Sequence, residues 1–224
     1  LLVSTKENKN LIDIPDLQFD NNSISVIMGH NGSGKTLLLN LLQGLITPNS
    51  GSIRFNPKIR NCKNFISIMM QKPTFLRRTT QQNIQFILDL NKNKTRMSFL
   101  EVLERFDLVP QKNILANKLS GGEKQRLSLA LATSINSKIL LLDEPTANAD
   151  PLTTFRIEKI IKEEASAGKK IILVTHSIAQ AKRLGQDLIF INNGKVLEQN
   201  KATKFFTQSK TKEIVQFLKG EIIL

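Results

Sequence analysis

The stretch Gly29-His30-Asn31-Gly32-Ser33-Gly34-Lys35-Thr36 decides the fold of this chain. It matches the phosphate-loop pattern G-x-x-x-x-G-K-[ST] at every defined position. The apolar run Ile24 to Met28 leads straight into it and reads as a short strand. Behind it, Leu37, Leu38, Leu41, Leu42 and Leu45 fall at helical spacing over Thr36 to Leu45. Gly32 and Gly34 allow backbone conformations in which successive N–H groups turn toward an anion, and the following helix presents its positive end to the same place. Lys35 is expected on the β- and γ-phosphates of a nucleotide, and the Thr36 hydroxyl on Mg²⁺. A glycine-rich turn before an ordinary helix is the plainer alternative; the full match argues against it.

Two further segments stand far away in the chain: Leu119-Ser120-Gly121-Gly122-Glu123-Lys124-Gln125-Arg126 and Ile139-Leu140-Leu141-Leu142-Asp143-Glu144. The second is an apolar strand that ends in paired carboxylates. An uncompensated carboxylate there is costly to bury, and holding Mg²⁺ through water resolves the cost. A helix-capping role for either acid is the alternative. The first segment opens a helix with a hydroxyl and exposed N–H groups, an anion site that a plain Ser N-cap would also explain.

With these three segments in this order, the chain resembles the nucleotide-binding subunits of ABC transporters, whose signature begins with the same Leu-Ser-Gly-Gly. The resemblance covers nearly the whole chain. It implies an α/β fold: a P-loop NTPase core with a mostly parallel sheet, an N-terminal antiparallel β portion and an inserted helical subdomain at roughly 73–135 of a single domain 1–224. It also implies ATP and Mg²⁺ as cofactors, hydrolysis to ADP and phosphate, and a role for each matching residue. Glu144 is the general base that deprotonates the attacking water, and Asp143 holds the metal. Gln71, after the strand Phe65 to Met70, senses Mg²⁺ and water and communicates with the membrane subunit. His176, after the strand ending at Thr175, contacts the γ-phosphate; a lone His taken without this context is more often structural. Ser120, Gly121, Gly122 and Gln125 close over ATP held by a second copy of the subunit, and Asp150 belongs to a loop that crosses that interface.

The chain departs from the family pattern in three places. It has no Tyr or Trp to stack on adenine, and Phe19, the only aromatic before the phosphate loop, reads as a sheet-edge residue. Leu131 stands where relatives commonly have Arg. The interface loop reads Ala147-Asn148-Ala149-Asp150 in place of Ser-x-Leu-Asp. None of these removes a catalytic group.

Elsewhere, Pro48 to Gly51 marks a turn before a strand-like Ser52 to Phe55. Helices are expected over Gln81 to Leu90 and Ser98 to Phe106, with Asn91 to Thr95 as a polar break. Leu127, Leu129, Leu131 and Ile135 supply the apolar positions of the signature helix. Lys170 to Thr175 reads as a buried strand and Leu152 to Ala165 as a helix, so strands alternate with helices as in a parallel sheet. Leu188 to Ile191 and Lys195 to Glu198 form a hairpin through Asn192-Asn193-Gly194. No internal repeat is present, and the ending near Phe217-Leu218 leaves no room for an additional regulatory domain.

The 224 residues suffice for a sizeable core, and 40% hydrophobic content is ordinary for a globular chain. No run reaches the roughly 20 apolar residues that cross a bilayer, and no signal-peptide core is seen. The expected transmembrane permease is therefore a separate polypeptide, with the chain peripheral on the cytoplasmic side of the inner membrane. The single Cys62 cannot form an internal disulfide and reads as a free thiol in a reducing compartment. The net charge of +13 is spread along the chain, often beside Asn. A solvated surface is its plain reading, attraction to anionic lipid is compatible with it, and no specific nucleic-acid partner is expected.

Two stretches bear on cargo. Gln71 to Thr79 looks like the segment after the switch glutamine in oxyanion importers, and Phe205-Phe206 with Phe217 to Glu221 is similar to the end of tungstate-importer ATPases. The resemblance thus implies a tungstate- or molybdate-type importer with an extracytoplasmic substrate-binding protein as a further partner. Amino-acid or phosphate transport, lipoprotein release, and a soluble ABC ATPase of translation or DNA repair stay open as alternatives.

Overall fold

The apolar runs at Ile24–Met28, Ile139–Asp143 and Lys170–Val174 are strands buried on both faces. The computed structural model describes residues 1–4, 10–21, 23–60, 65–90, 97–147 and 149–221. Cys62, the polar break at 91–95 and Asn148 lie outside the described residues. The first half of the chain runs β1 (Leu2–Ser4), β2 (Asn10–Asp13), β3 (Ile24–Met28), α1 (Lys35–Gln43), α2 (Pro57–Arg60), β4 (Ile66–Met69), α3 (Thr80–Leu90) and α4 (Phe99–Arg105). The second runs α5 (Gly121–Ser134), β5 (Ile139–Asp143), α6 (Pro151–Ser166), β6 (Lys170–Val174), α7 (Ile178–Leu184), β7 (Asp187–Asn192), β8 (Lys195–Lys201), α8 (Ala202–Gln208) and α9 (Lys212–Lys219). The result is an α/β fold with mostly parallel strand pairs and an antiparallel N-terminal pair, β1 with β2.

The chain divides into two units, 1–56 with 170–224, and 57–169. In the first, β3 lies parallel to both β6 and β7, with Val26 opposite Leu173 on one side and Leu188 on the other. Every residue of β3 and β6 is buried, which is why these strands read as unbroken apolar runs instead of alternating. Strand β8 returns antiparallel to β7. Asn193 (φ 46°) and Gly194 (φ 74°) both sit in the left-handed region, as a two-residue hairpin turn of this twist requires.

In the second unit β4 and β5 are parallel, Ile66 opposite Ile139 and Met69 opposite Leu142. Helices α4 and α5 start in the same way. Ser98 and Ser120 each accept a bond from the backbone N–H three residues on, while Glu101 and Glu123 accept the reciprocal bond from the cap residue's own N–H.

Two expectations are corrected. Ser52 to Phe55 is not a strand: among the described residues the pairing nearby is the isolated bridge of Leu2 with Ser50, and Gly51 (φ 87°) follows it in a left-handed conformation. Ile135 is not part of the signature helix either. It has extended backbone (ψ 123°) and ends α5 after Ser134, whose hydroxyl donates back to the Ala130 carbonyl oxygen.

Candidate functional site

The parallel register sets where chemistry can gather. Because β3 and β6 run the same way, the phosphate loop after Met28 and His176 after Thr175 leave the sheet at the same edge of the first unit. Thr175 N–H still donates to the Ile27 carbonyl oxygen (3.2 Å), and His176, one residue later, is exposed.

The loop itself is tied down closely. Gly29 has φ 151°, and a side chain there would collide with the Ile191 carbonyl oxygen and come within 2.8 Å of Ser33 Oγ. Only glycine lets β3 turn so tightly against β7. Ser33 N–H donates to the His30 carbonyl (3.2 Å), and Ser33 in turn accepts from Gly194 N–H (2.9 Å). Gly34 (φ 104°) stands at the N-cap of α1 and supplies no side-chain cap, so the positive end of the helix faces the loop. Lys35 is buried, 7% exposed, and its ammonium donates to the carbonyl oxygens of Gly29 (2.9 Å) and His30 (2.6 Å). The cation is thereby folded back onto the loop. Asn31, Gly32 and Thr36 are exposed, whereas Ser33 is buried with its hydroxyl lacking any hydrogen-bond partner. A buried orphan hydroxyl, a buried ammonium and an uncapped helix start form a donor set that suits phosphate oxygens.

In the second unit, Gln71 and the pair Asp143-Glu144 leave β4 and β5 at their common C-terminal edge. Asp143 and Glu144 are 2% and 6% exposed, while Gln71 lies on the surface. Glu144 has φ 48°, a left-handed conformation in a residue with a β-carbon, directly before Pro145. Such strain costs on the order of 1–3 kcal/mol and gathers at functional positions. The hydroxyl of Thr36 and the carboxylate of Asp143 are hard oxygen donors of the kind Mg²⁺ takes. No group of three or more His, Cys, Asp or Glu able to hold a metal occurs among the described residues.

Ser120, Gly121 and Gly122 form the exposed to half-exposed start of α5. Ser120 Oγ accepts from Glu123 N–H (3.4 Å), and Glu123 Oε2 from Ser120 N–H (2.8 Å). The bond from the Ser120 N–H holds the Glu123 carboxyl below the usual carboxylate range. Capping and anion binding are thus not exclusive here, since the Gly121 and Gly122 N–H groups stay with the exposed helix end. Gln125, by contrast, faces inward, 7% exposed with Oε1 lacking a partner. Asp150 caps α6: Oδ1 accepts from Thr153 N–H (2.9 Å) and Oδ2 from the Thr153 hydroxyl (2.6 Å), which lowers its pKa.

Thr153 was missed in the sequence. Besides Asp150 it receives Arg126 Nη1 (3.3 Å), and a β-carbon added at Gly122 would sit 3.3 Å from its hydroxyl. It joins the signature helix to the loop that carries Asp150. The readable signal was Asp150-Pro151-Leu152-Thr153, an acidic N-cap with Pro at the first helical position and Thr at the third.

Comparison with known proteins gives a consistent result. A family profile described as "ABC transporter" matches residues 12–147. The ATP-binding protein TupC of the tungstate uptake system of Peptoclostridium acidaminophilum is 36% identical over 193 residues, covering 84% of this chain and 90% of that protein. The L-cystine import ATP-binding protein TcyC of Bacillus subtilis is 30% identical over 220 residues, covering 91% and 89%. Among solved structures, a dimeric ATP-binding cassette in a post-hydrolysis state with ADP and Pi superposes with a TM-score of 0.76 at 28% identity, covering 89% and 95%.

Proposed function

The chain belongs to the ABC transporter family as one of its ATP-hydrolysing subunits, and from that premise we propose that it powers import of a tungstate- or molybdate-type oxyanion through a separate membrane permease. The observation that carries the cargo is the 36% identity to a tungstate-uptake ATP-binding protein over 84% of this chain. The 30% match to a cystine-import protein is the specific observation behind a second reading, amino-acid uptake. No described helix is long and apolar enough to cross a membrane, so a permease partner supplies the membrane path. We assign its docking to the helical segment near Gln71, with Leu76 and Arg77 exposed at its entrance. An extracytoplasmic binding protein would deliver the cargo.

Each residue does a definite thing in this reading. The loop N–H groups and Lys35 bind the phosphates, Lys35 exchanging the carbonyl oxygens of Gly29 and His30 for phosphate oxygens. Thr36 and Asp143 are the oxygen donors that would hold Mg²⁺, which would supply neutralisation of the phosphate charge. Glu144 takes the proton of the attacking water, Gln71 orients that water, and His176 donates toward the terminal phosphate. Ser120, Gly121 and Gly122, with Asp150 nearby, offer donors to the nucleotide of a second copy. Gln125 supports α5 from within.

Uptake by a strain lacking this gene tests the whole. Wild-type protein should restore high-affinity tungstate uptake and the Glu144→Gln form should not. Restored cystine uptake with unchanged tungstate uptake would transfer the assignment to the second reading.

A further inference from the structure

His30, the second residue of the phosphate loop, does not point into solvent. Its ring stands edge-on to Phe217 of α9, with centroids 5.1 Å apart and planes at 84°, and to Phe190 of β7 at 6.3 Å and 84°. The two phenylalanines pack against each other at 5.1 Å and 71°. Phe190 is fully buried and pairs in register with Met28, the residue before the loop. Phe217 is 9% exposed and comes from the far end of the chain. His30 Nε2 is buried without a hydrogen-bond partner, so packing between rings, with no polar bond from that nitrogen, holds the imidazole. The backbone of the same residue performs the loop's polar work: its carbonyl accepts from Lys35 Nζ (2.6 Å) and from Ser33 N–H (3.2 Å).

We propose that Phe217 is a positioning residue for nucleotide binding, clamping His30 so that the phosphate loop keeps its shape, and that helix α9 thereby sets ATP affinity from outside the site. The inference rests on the assignment of the loop to nucleotide binding. Edge-to-face ring pairs in this range are favourable beyond the area they bury. Strain or loosening at His30 passes directly to the carbonyl that Lys35 must release to meet a phosphate. Ordinary core packing would affect folding stability alone. A clamp predicts that affinity changes at constant turnover.

The test uses the full chain, with ADP and ATP binding measured by calorimetry beside steady-state ATPase kinetics. Phe217→Ala should weaken nucleotide binding and raise KM for ATP roughly three- to tenfold, the size expected of one lost ring pair. The rate at saturating ATP should hold within about twofold, and Phe217→Leu should recover most of the affinity. His30→Ala should show a similar loss, and the double variant should be no weaker than the worse single one, because both remove one interaction. Phe217→Ala that melts at lower temperature but binds nucleotide like wild type overturns the clamp, as does full additivity in the double variant. If Phe217→Ala does not fold, Phe217→Val takes its place: weakened nucleotide binding supports the clamp, and binding like wild type overturns it. Tight ADP binding without hydrolysis by the wild type would count against the catalytic reading, while the binding series would still decide the clamp.

Discussion

Glu144 concentrates several demands at one backbone position. It is buried, ends an apolar strand, precedes Pro145 and has φ 48°. Left-handed backbone costs a residue with a β-carbon about 1–2 kcal/mol, a cost glycine escapes. Replacing Glu144 by Ala or by Gly deletes the same side-chain contacts, so the difference between the two variants isolates the backbone. Glu144→Gly should be more stable than Glu144→Ala by about 1 kcal/mol in urea unfolding, the reverse of their order inside a helix. Equal stability would show that the conformation is not strained. This conformation was not legible in the sequence. Asp143 and Glu144 were found from their place after Ile139 to Leu142, but a positive φ in Glu arises from the turn after β5. The ring pair at His30 was equally hidden, since Phe217 lies too far along the chain for any local pattern to join them.

At the scale of elements, two helices share one starting device and differ in what surrounds it. Ser98 and Ser120 both cap with a reciprocal glutamate. Ser98→Ala and Ser120→Ala should each cost about 1 kcal/mol of stability by denaturant titration. Only Ser120→Ala should also depress ATPase activity, because only α5 opens on the signature. Equal activity in both variants would leave Ser120 a cap and nothing more. The starts of β3, β6 and β7 supply a second element-scale case. Lys170 donates to Ser23 Oγ (2.6 Å) and Ser25 Oγ (2.7 Å), Ser25 donates to Asp187 Oδ2 (3.0 Å), and the ammonium lies 5.8 Å from the Phe19 ring centroid. Burial lowers the Lys170 pKa from 10.5 to about 8, against the opposing pull of Asp187 and Asp20. Between those two values the unfolded chain holds more protons than the folded one, so stability should rise as pH rises across that window. The gain should be on the order of 1–3 kcal/mol in thermal unfolding. Lys170→Met should flatten that rise; an unaltered profile would remove Lys170 as its source. Strands β3, β5, β6 and β7 were readable because burial on both faces leaves unbroken apolar runs. Ser52 to Phe55 misled because Ile53 and Phe55 alternate with Ser52 and Arg54 as in a strand, and their exposure alternates likewise, yet no strand pairs with the segment among the described residues. Helices α8 and α9 went unread, although α9 carries the signal: Ile214, Phe217 and Leu218 recur at helical spacing, and Ile214 and Phe217 are buried.

For the whole molecule, the start of α5 lies at the surface, with Ser120 and Gly121 exposed, where a second copy can meet it. Glu144→Gln, which should slow hydrolysis roughly 10²–10⁴-fold, should elute as a dimer with ATP and as a monomer with ADP. Adding Ser120→Arg should return the ATP form to monomer in size-exclusion chromatography. A dimer indifferent to nucleotide and to Ser120→Arg would place the interface elsewhere. The parallel strands have a further consequence. Gln71, Asp143, Glu144, His176 and the phosphate loop all follow the C-terminal ends of strands, while Lys170, Ser23 and Asp187 lie at the opposite ends. A library of variants screened for yield or melting temperature would therefore register damage at the strand starts and miss most of what happens at the strand ends. A screen for turnover would have the reverse blind spot, so each variant needs both assays before its defect is attributed.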